Sequence, residues 1–185
     1  MKPIYLMALL LAAPLSAETC PEPQDISAPL AALLNEAHQA SSDAEGQAVS
    51  QKMWQLWAAA PNAQAQDLLD TGMSRRASYD FLGALEAFDR LVAYCPDYAE
   101  GYNQRAFVNF LRHDFAAALP DLDKALDLSP AHVAAMSGRA LTLLALGQVD
   151  AAREDMDRAL ALNPWIPERG LVAPGGPLAP VEQDI

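Results

Sequence analysis

The side chains able to do chemistry are few, and their spacing argues against most reactions. The three histidines, His38, His113 and His132, lie far apart, and none stands four residues from another histidine or a cysteine. A helical metal pair needs that spacing, so no metal site is expected. His113 and His132 fall in expected turns and read as solvated side chains. There is no glycine-rich phosphate loop and no GxSxG elbow, Gly175-Gly176 being an isolated dipeptide, and Cys95 has no nearby second cysteine to form a CxxC redox pair. No catalytic residue and no cofactor is implied, and the chain reads as a non-enzyme.

Charged residues recur with a period. Asp89, Asp123 and Asp157 stand 34 residues apart, each followed by a base, Arg90, Lys124 or Arg158. On second helices these pairs read as a solvated outer stripe. Arg105 and Arg139 share another column of the same period. They serve either as polar donors for a partner's carboxylate or backbone carbonyls, or as partners of acids on the adjoining helix, such as Asp121 or Asp123, with their aliphatic stems packed.

The period itself organises the chain. Pro96, Pro130 and Pro164 are 34 residues apart. Aligned on them, Ala84, Ala118 and Ala152 form one column, and Phe88, Leu122 and Met156 another. Gly72, Ala106 and Ala140 fill a small-residue column, and Leu68, Tyr102 and Met136 a large apolar one. A helix-turn-helix unit of this length, with small residues where backbones meet, resembles the tetratricopeptide repeat family from Ala65 to Pro164. The resemblance implies an all-α, right-handed α-solenoid of about three helix pairs: residues 65–98, 99–132 and 133–166. The first is degenerate, with Thr71 and Arg75 where Leu and Tyr are usual and Leu91 in place of a small residue. Pro120, inside the second helix of repeat two, is expected to produce a mild kink or to mark a late helix start.

In that family the first helix of each repeat lines a concave groove, so the resemblance implies recognition of a protein or peptide. Carried over by column, the groove positions are Gln66, Leu69, Met73 and Arg76, then Glu100, Asn103, Phe107 and Phe110, then Ala134, Ser137, Leu141 and Leu144. Two phenylalanines and several aliphatics make this surface more apolar than charged. Of the Lys, Asn and Arg that the family's carboxylate clamp requires, only Asn103 matches. The whole chain resembles small exported members of the family from alphaproteobacteria.

The flanks carry separate signals. Residues 1–17, a lysine followed by an apolar run ending in Ser16-Ala17, read as a cleaved secretory signal, with an uncleaved inner-membrane anchor as the alternative. A periplasmic location follows from the first reading. Residues 18–26 form an irregular lead-in. Two amphipathic helices over residues 27–62 match none of the repeat columns and are expected to cover the apolar end of the first repeat. The Pro- and Gly-rich tail, residues 167–185, is expected to be extended or partly disordered, with Trp165, Ile166, Leu171 and Val172 either folding back or meeting another protein.

Cys20 and Cys95 are an even pair in an exported chain. They form either one disulfide or two separate thiols. The formal charge is −12, which disfavours nucleic acid and anionic surfaces. The expected partner is therefore an unidentified protein or peptide, bound by a mature chain that is monomeric and not inserted in the membrane. Two other uses are a self-associating envelope scaffold and an accessory factor for envelope assembly.

Overall fold

The structure, a computed structural model, describes residues 19–179. The expected signal segment and its cleavage point lie outside these residues, as does the end of the tail. Eight α-helices follow one another in antiparallel pairs, and no strand occurs among the described residues. They are α1 (Ser27–Gln39), α2 (Asp43–Trp57), α3 (Ala63–Ala77), α4 (Phe81–Tyr94), α5 (Ala99–Leu111), α6 (Phe115–Leu128), α7 (Val133–Ala145) and α8 (Val149–Leu162). A short 3-10 helix, Pro167–Val172, comes last. No described helix is long and apolar enough to cross a membrane.

Local chemistry sets the helix starts. Asn62, Asp80 and Asp114 each accept a hydrogen bond from the backbone N–H three residues on, at 2.9, 3.0 and 3.2 Å. These contacts satisfy donors that a helix start leaves unpaired. At α2 the cap is Ser42, and Glu45 reaches back to the Ser41 N–H at 2.8 Å. Between the helices of each repeat the chain passes through the left-handed region in one column: Tyr79 at φ 63°, His113 at 61° and Gly147 at 77°. Only the third repeat has the residue suited to that conformation. Helix α6 runs through Pro120 from a start at Phe115, so Pro120 does not mark its beginning.

The small-residue columns lie where backbones approach. Ala84, Ala118, Ala152, Ala106 and Ala140 are all fully buried, as are Phe88 and Met156. Phe88 fills the space beside Gly72, where a side chain would overlap its ring. Repeat one has its own core around Leu68, Leu69, Phe88 and Leu91.

The N-terminal hairpin is not placed as expected. Its stripe of Leu30, Ala37, Val49, Met53 and Trp57 joins one core with Leu122, Met136 and Met156 of repeats two and three. The hairpin therefore runs along the solenoid instead of sealing its first end. Polar contacts fix its direction. Tyr98 donates to the Trp57 carbonyl at 2.7 Å near repeat one, while Asn163 donates to Ser50 Oγ at 2.8 Å beyond repeat three. Trp165 then donates its indole N–H to the Ala37 carbonyl at 2.8 Å, and its ring lies against Gly46. An amphipathic stripe states that a face is buried, but not against what.

One further expectation changes, and two open alternatives close. The tail is ordered through Ala179: Leu178 is fully buried, and Arg153 donates to the carbonyls of Leu178 and Ala179, both at 3.1 Å. This fold-back covers the last helix pair, and Trp165, Ile166, Leu171 and Val172 pack into the shared core. Cys20 and Cys95 form a disulfide with a Cα–Cα distance of 5.2 Å, tying the lead-in to the end of repeat one.

Substituting Gly147→Ala should cost about 1 kcal/mol through backbone strain, since nothing lies within 4 Å of the added methyl. Urea unfolding checks this.

Candidate functional site

Helices α3, α5 and α7 supply the groove side chains, because residues three or four apart on a helix share a face. Arg76, Asn103, Phe107, Phe110, Ser137 and Leu141 line one cavity of about 270 Å³. Trp54 of α2 and Glu168 of the 3-10 helix close its sides. The open groove expected of the repeats is thus narrowed by the hairpin and the tail. Phe107 remains 44% exposed, and the Arg76 guanidinium stands 4.7 Å from its ring centroid.

Arg76 donates to the Gln104 side-chain oxygen but makes no ion pair among the described residues. Burial pushes its guanidinium below the usual arginine range, partly opposed by Glu100. It is a half-buried cation with no carboxylate in contact.

The other groove positions divide. Ala134 lines the cavity, whereas Leu69 is fully buried and Gln66 accepts from the Ala60 N–H at 3.0 Å. Met73 packs half-buried on the core of repeat one, and Leu144 on the core shared with the hairpin, so neither lines the cavity. Glu100 is withdrawn altogether, at 1% exposed. Its carboxylate accepts from His132 Nε2 at 2.9 Å, Asn103 Nδ2 at 2.9 Å and Gln104 Nε2 at 2.5 Å. Asn103 is therefore already committed.

His132 is the main correction, since it is fully buried instead of solvated. Its ring stacks on Trp57 with centroids 4.2 Å apart, and Nδ1 accepts from the Ala135 N–H at 3.2 Å, capping α7. With Nδ1 accepting, Nε2 carries the proton toward Glu100. A signal for this burial lay in the repeat: Tyr98, His132 and Ile166 form one column, and all three are buried. His113 is an exposed turn residue, and His38 contacts the Ala161 carbonyl at 3.0 Å. No group of three potential ligands for a metal occurs among the described residues.

Arg105 and Arg139 are occupied by structural pairs. Arg105 grips Asp121 through two nitrogens, at 2.7 and 2.6 Å, and reaches Asp89 of the preceding repeat at 2.8 Å. Arg139 does the same with Asp155, at 2.6 and 2.8 Å, and Asp123, at 2.8 Å. Hydrogen bonds to these carboxylates raise both guanidinium groups above their ordinary range. Neither arginine is a free donor, and two members of the acidic column, Asp89 and Asp123, serve the same ladder.

Residues 110–164 match the model of the tetratricopeptide repeat family. This stretch is a tetratricopeptide repeat segment, and the other helix pairs follow one another in the same antiparallel manner. Among solved structures it is similar to the first such domain of Spaghetti (RPAP3) bound to the HSP90 peptide SRMEEVD, with 25% identity over 57% of this chain and 83% of that one and a TM-score of 0.56. The TPR2B domain of yeast Sti1, in a complex with an Hsp70 peptide, is 24% identical over 62% of this chain and 90% of that one, with a TM-score of 0.54. MamA shares the fold at 21% identity over 65% and 70% of the two chains, with a TM-score of 0.52. No match was found among curated proteins. The tetratricopeptide fold indicates a protein–protein interaction module.

A His132→Ala change should remove the α7 cap and leave Glu100 buried with one donor fewer. The expected loss is about 3 kcal/mol, read by urea unfolding.

Proposed function

We propose that this protein is a non-enzymatic interaction module of the periplasm, holding an apolar segment of another protein in the cavity over α5 and α7. The observation that carries this reading is Phe107, a large ring 44% exposed beside Phe110 and Leu141. Exposed aromatics at the rim of an apolar cavity are favourable anchors for a partner. Arg76 supports an orientation in which the segment turns a carboxylate or backbone carbonyl toward the guanidinium. Peptides occupy the solved domains of Spaghetti and Sti1, which supports a peptide-like occupant.

The mode differs from a carboxylate clamp. Asn103 is bonded to Glu100, and no lysine lines the cavity, so apolar anchoring dominates. The apolar start of the chain and the Cys20–Cys95 disulfide support export to an oxidising compartment. Self-association through Trp165 to Val172 loses support, because these side chains pack within the chain. An accessory role in envelope assembly would be a specialisation of the proposed module.

Peptides selected from a random display library on the oxidised chain provide the test. Phe107→Asp and Leu141→Asp should each weaken the selected peptides at least tenfold, about 1.4 kcal/mol, with unchanged far-UV circular dichroism. Full affinity in both variants contradicts the proposed site. For location, the protein recovered from the periplasm should lack the mass of residues 1–17; recovery only as the full-length chain in membranes contradicts export with cleavage.

A further inference from the structure

A second cleft lies on another part of the molecule and encloses about 500 Å³, within the ~300–1,000 Å³ of small-ligand pockets. Its lining comes from two inter-repeat junctions, residues 97–100 and 128–131, and from the lead-in and the hairpin. Its inner wall is apolar: Ile26, Leu30, Leu34, Leu56, Trp57 and Leu128. The Cys20–Cys95 disulfide anchors the lead-in that supplies part of this wall. Part of the cleft wall is thus a segment with a covalent tie to the end of repeat one.

Its polar features are one-sided. Asp25, which accepts from the Ser27 N–H at 2.9 Å, and Asp97 both line it, and no lysine, arginine or histidine does. Neither aspartate makes an ion pair among the described residues. A third observation is independent of charge. Trp57 is 5% exposed, and its indole N–H is buried with no acceptor among the described residues. Buried donors are nearly always paired, so an orphan in the wall of a cleft points to an acceptor that arrives with an occupant.

These features ask for an apolar body, a positive charge and a carbonyl oxygen in one ligand. We propose that this cleft is a second binding site, for a short polypeptide segment in which apolar residues are flanked by lysine or arginine. The apolar side chain fills the space lined by Leu30 and Leu56, a backbone carbonyl accepts from Trp57, and the basic groups meet Asp25 and Asp97. The site is separate from the Phe107 cavity and does not depend on it.

The probe is acetyl-Lys-Leu-Leu-Lys-amide, titrated calorimetrically into the oxidised full chain, with acetyl-Glu-Leu-Leu-Glu-amide as the charge-reversed control. The expected result is one site that binds the basic peptide at least tenfold more tightly than the acidic one. An Asp25→Asn, Asp97→Asn double variant should remove that preference, and Phe107→Asp should not. In a nitrogen-proton correlation spectrum, the indole N–H resonance missing from Trp57→Phe should move downfield as the basic peptide binds. No binding at millimolar peptide, equal affinity for both peptides, an unaffected double variant, or an unmoved Trp57 resonance each overturns the proposal.

Discussion

A carboxylate taken out of water costs several kcal/mol unless donors replace the lost hydration, and Glu100 meets that demand with three. Two come from its own helix, and the third is His132, the last residue of the same repeat and the cap of α7. His132 can serve only because its other nitrogen caps α7, which fixes the proton on the nitrogen facing Glu100. Trp57 lies flat on the imidazole and keeps water away. The hairpin is thus part of the electrostatic design of repeats two and three. Without its tryptophan, a buried charge network would stand open to solvent.

The remainder of the hairpin follows from that anchor. From Trp57 it passes Ser50, which meets Asn163, and reaches Ala37 and Gly46, which meet Trp165. One helix pair therefore connects the boundary of repeats one and two with the end of repeat three. Arginines make a second connection elsewhere. Arg105 and Arg139 each bridge acids on two successive second helices, tying adjoining repeats together. Thr71 occupies the same column in repeat one and cannot extend the ladder, and repeat one has a separate core. With the ends joined, the groove is reduced to a small cavity lined by Phe107 and Arg76, with Phe107 44% exposed.

What could be read before the fold was known follows from these interactions. The 34-residue columns mark the packed positions correctly because close backbone approach requires small residues wherever the unit repeats. Seven of the groove positions named by column, Arg76, Asn103, Phe107, Phe110, Ala134, Ser137 and Leu141, meet around one cavity for the same reason. Glu100 and His132 differ from expectation because a single polar residue reads as exposed, while their burial arises from their contact with each other and from Trp57 outside the repeat. Trp57 belongs to a segment without columns, so its sequence shows an apolar face and no address. The arginine ladder was half legible: acids on the adjoining helix were foreseen, but their recurrence on both sides of each arginine depends on how successive repeats stack. Proline and glycine content points to an extended tail, whereas Leu178 and the Arg153 contacts hold it through Ala179, in keeping with the fold-back alternative for Trp165 to Val172.

The placement of the hairpin is the point on which the rest turns. Nuclear Overhauser contacts of the Trp57 indole protons in the oxidised chain test it most directly. Strong cross-peaks to the His132 ring, together with cross-peaks from Trp165 to Gly46, are predicted. Trp57 contacts confined to repeat one, with Trp165 remote from Gly46, would contradict the account and return the hairpin to the end of the solenoid.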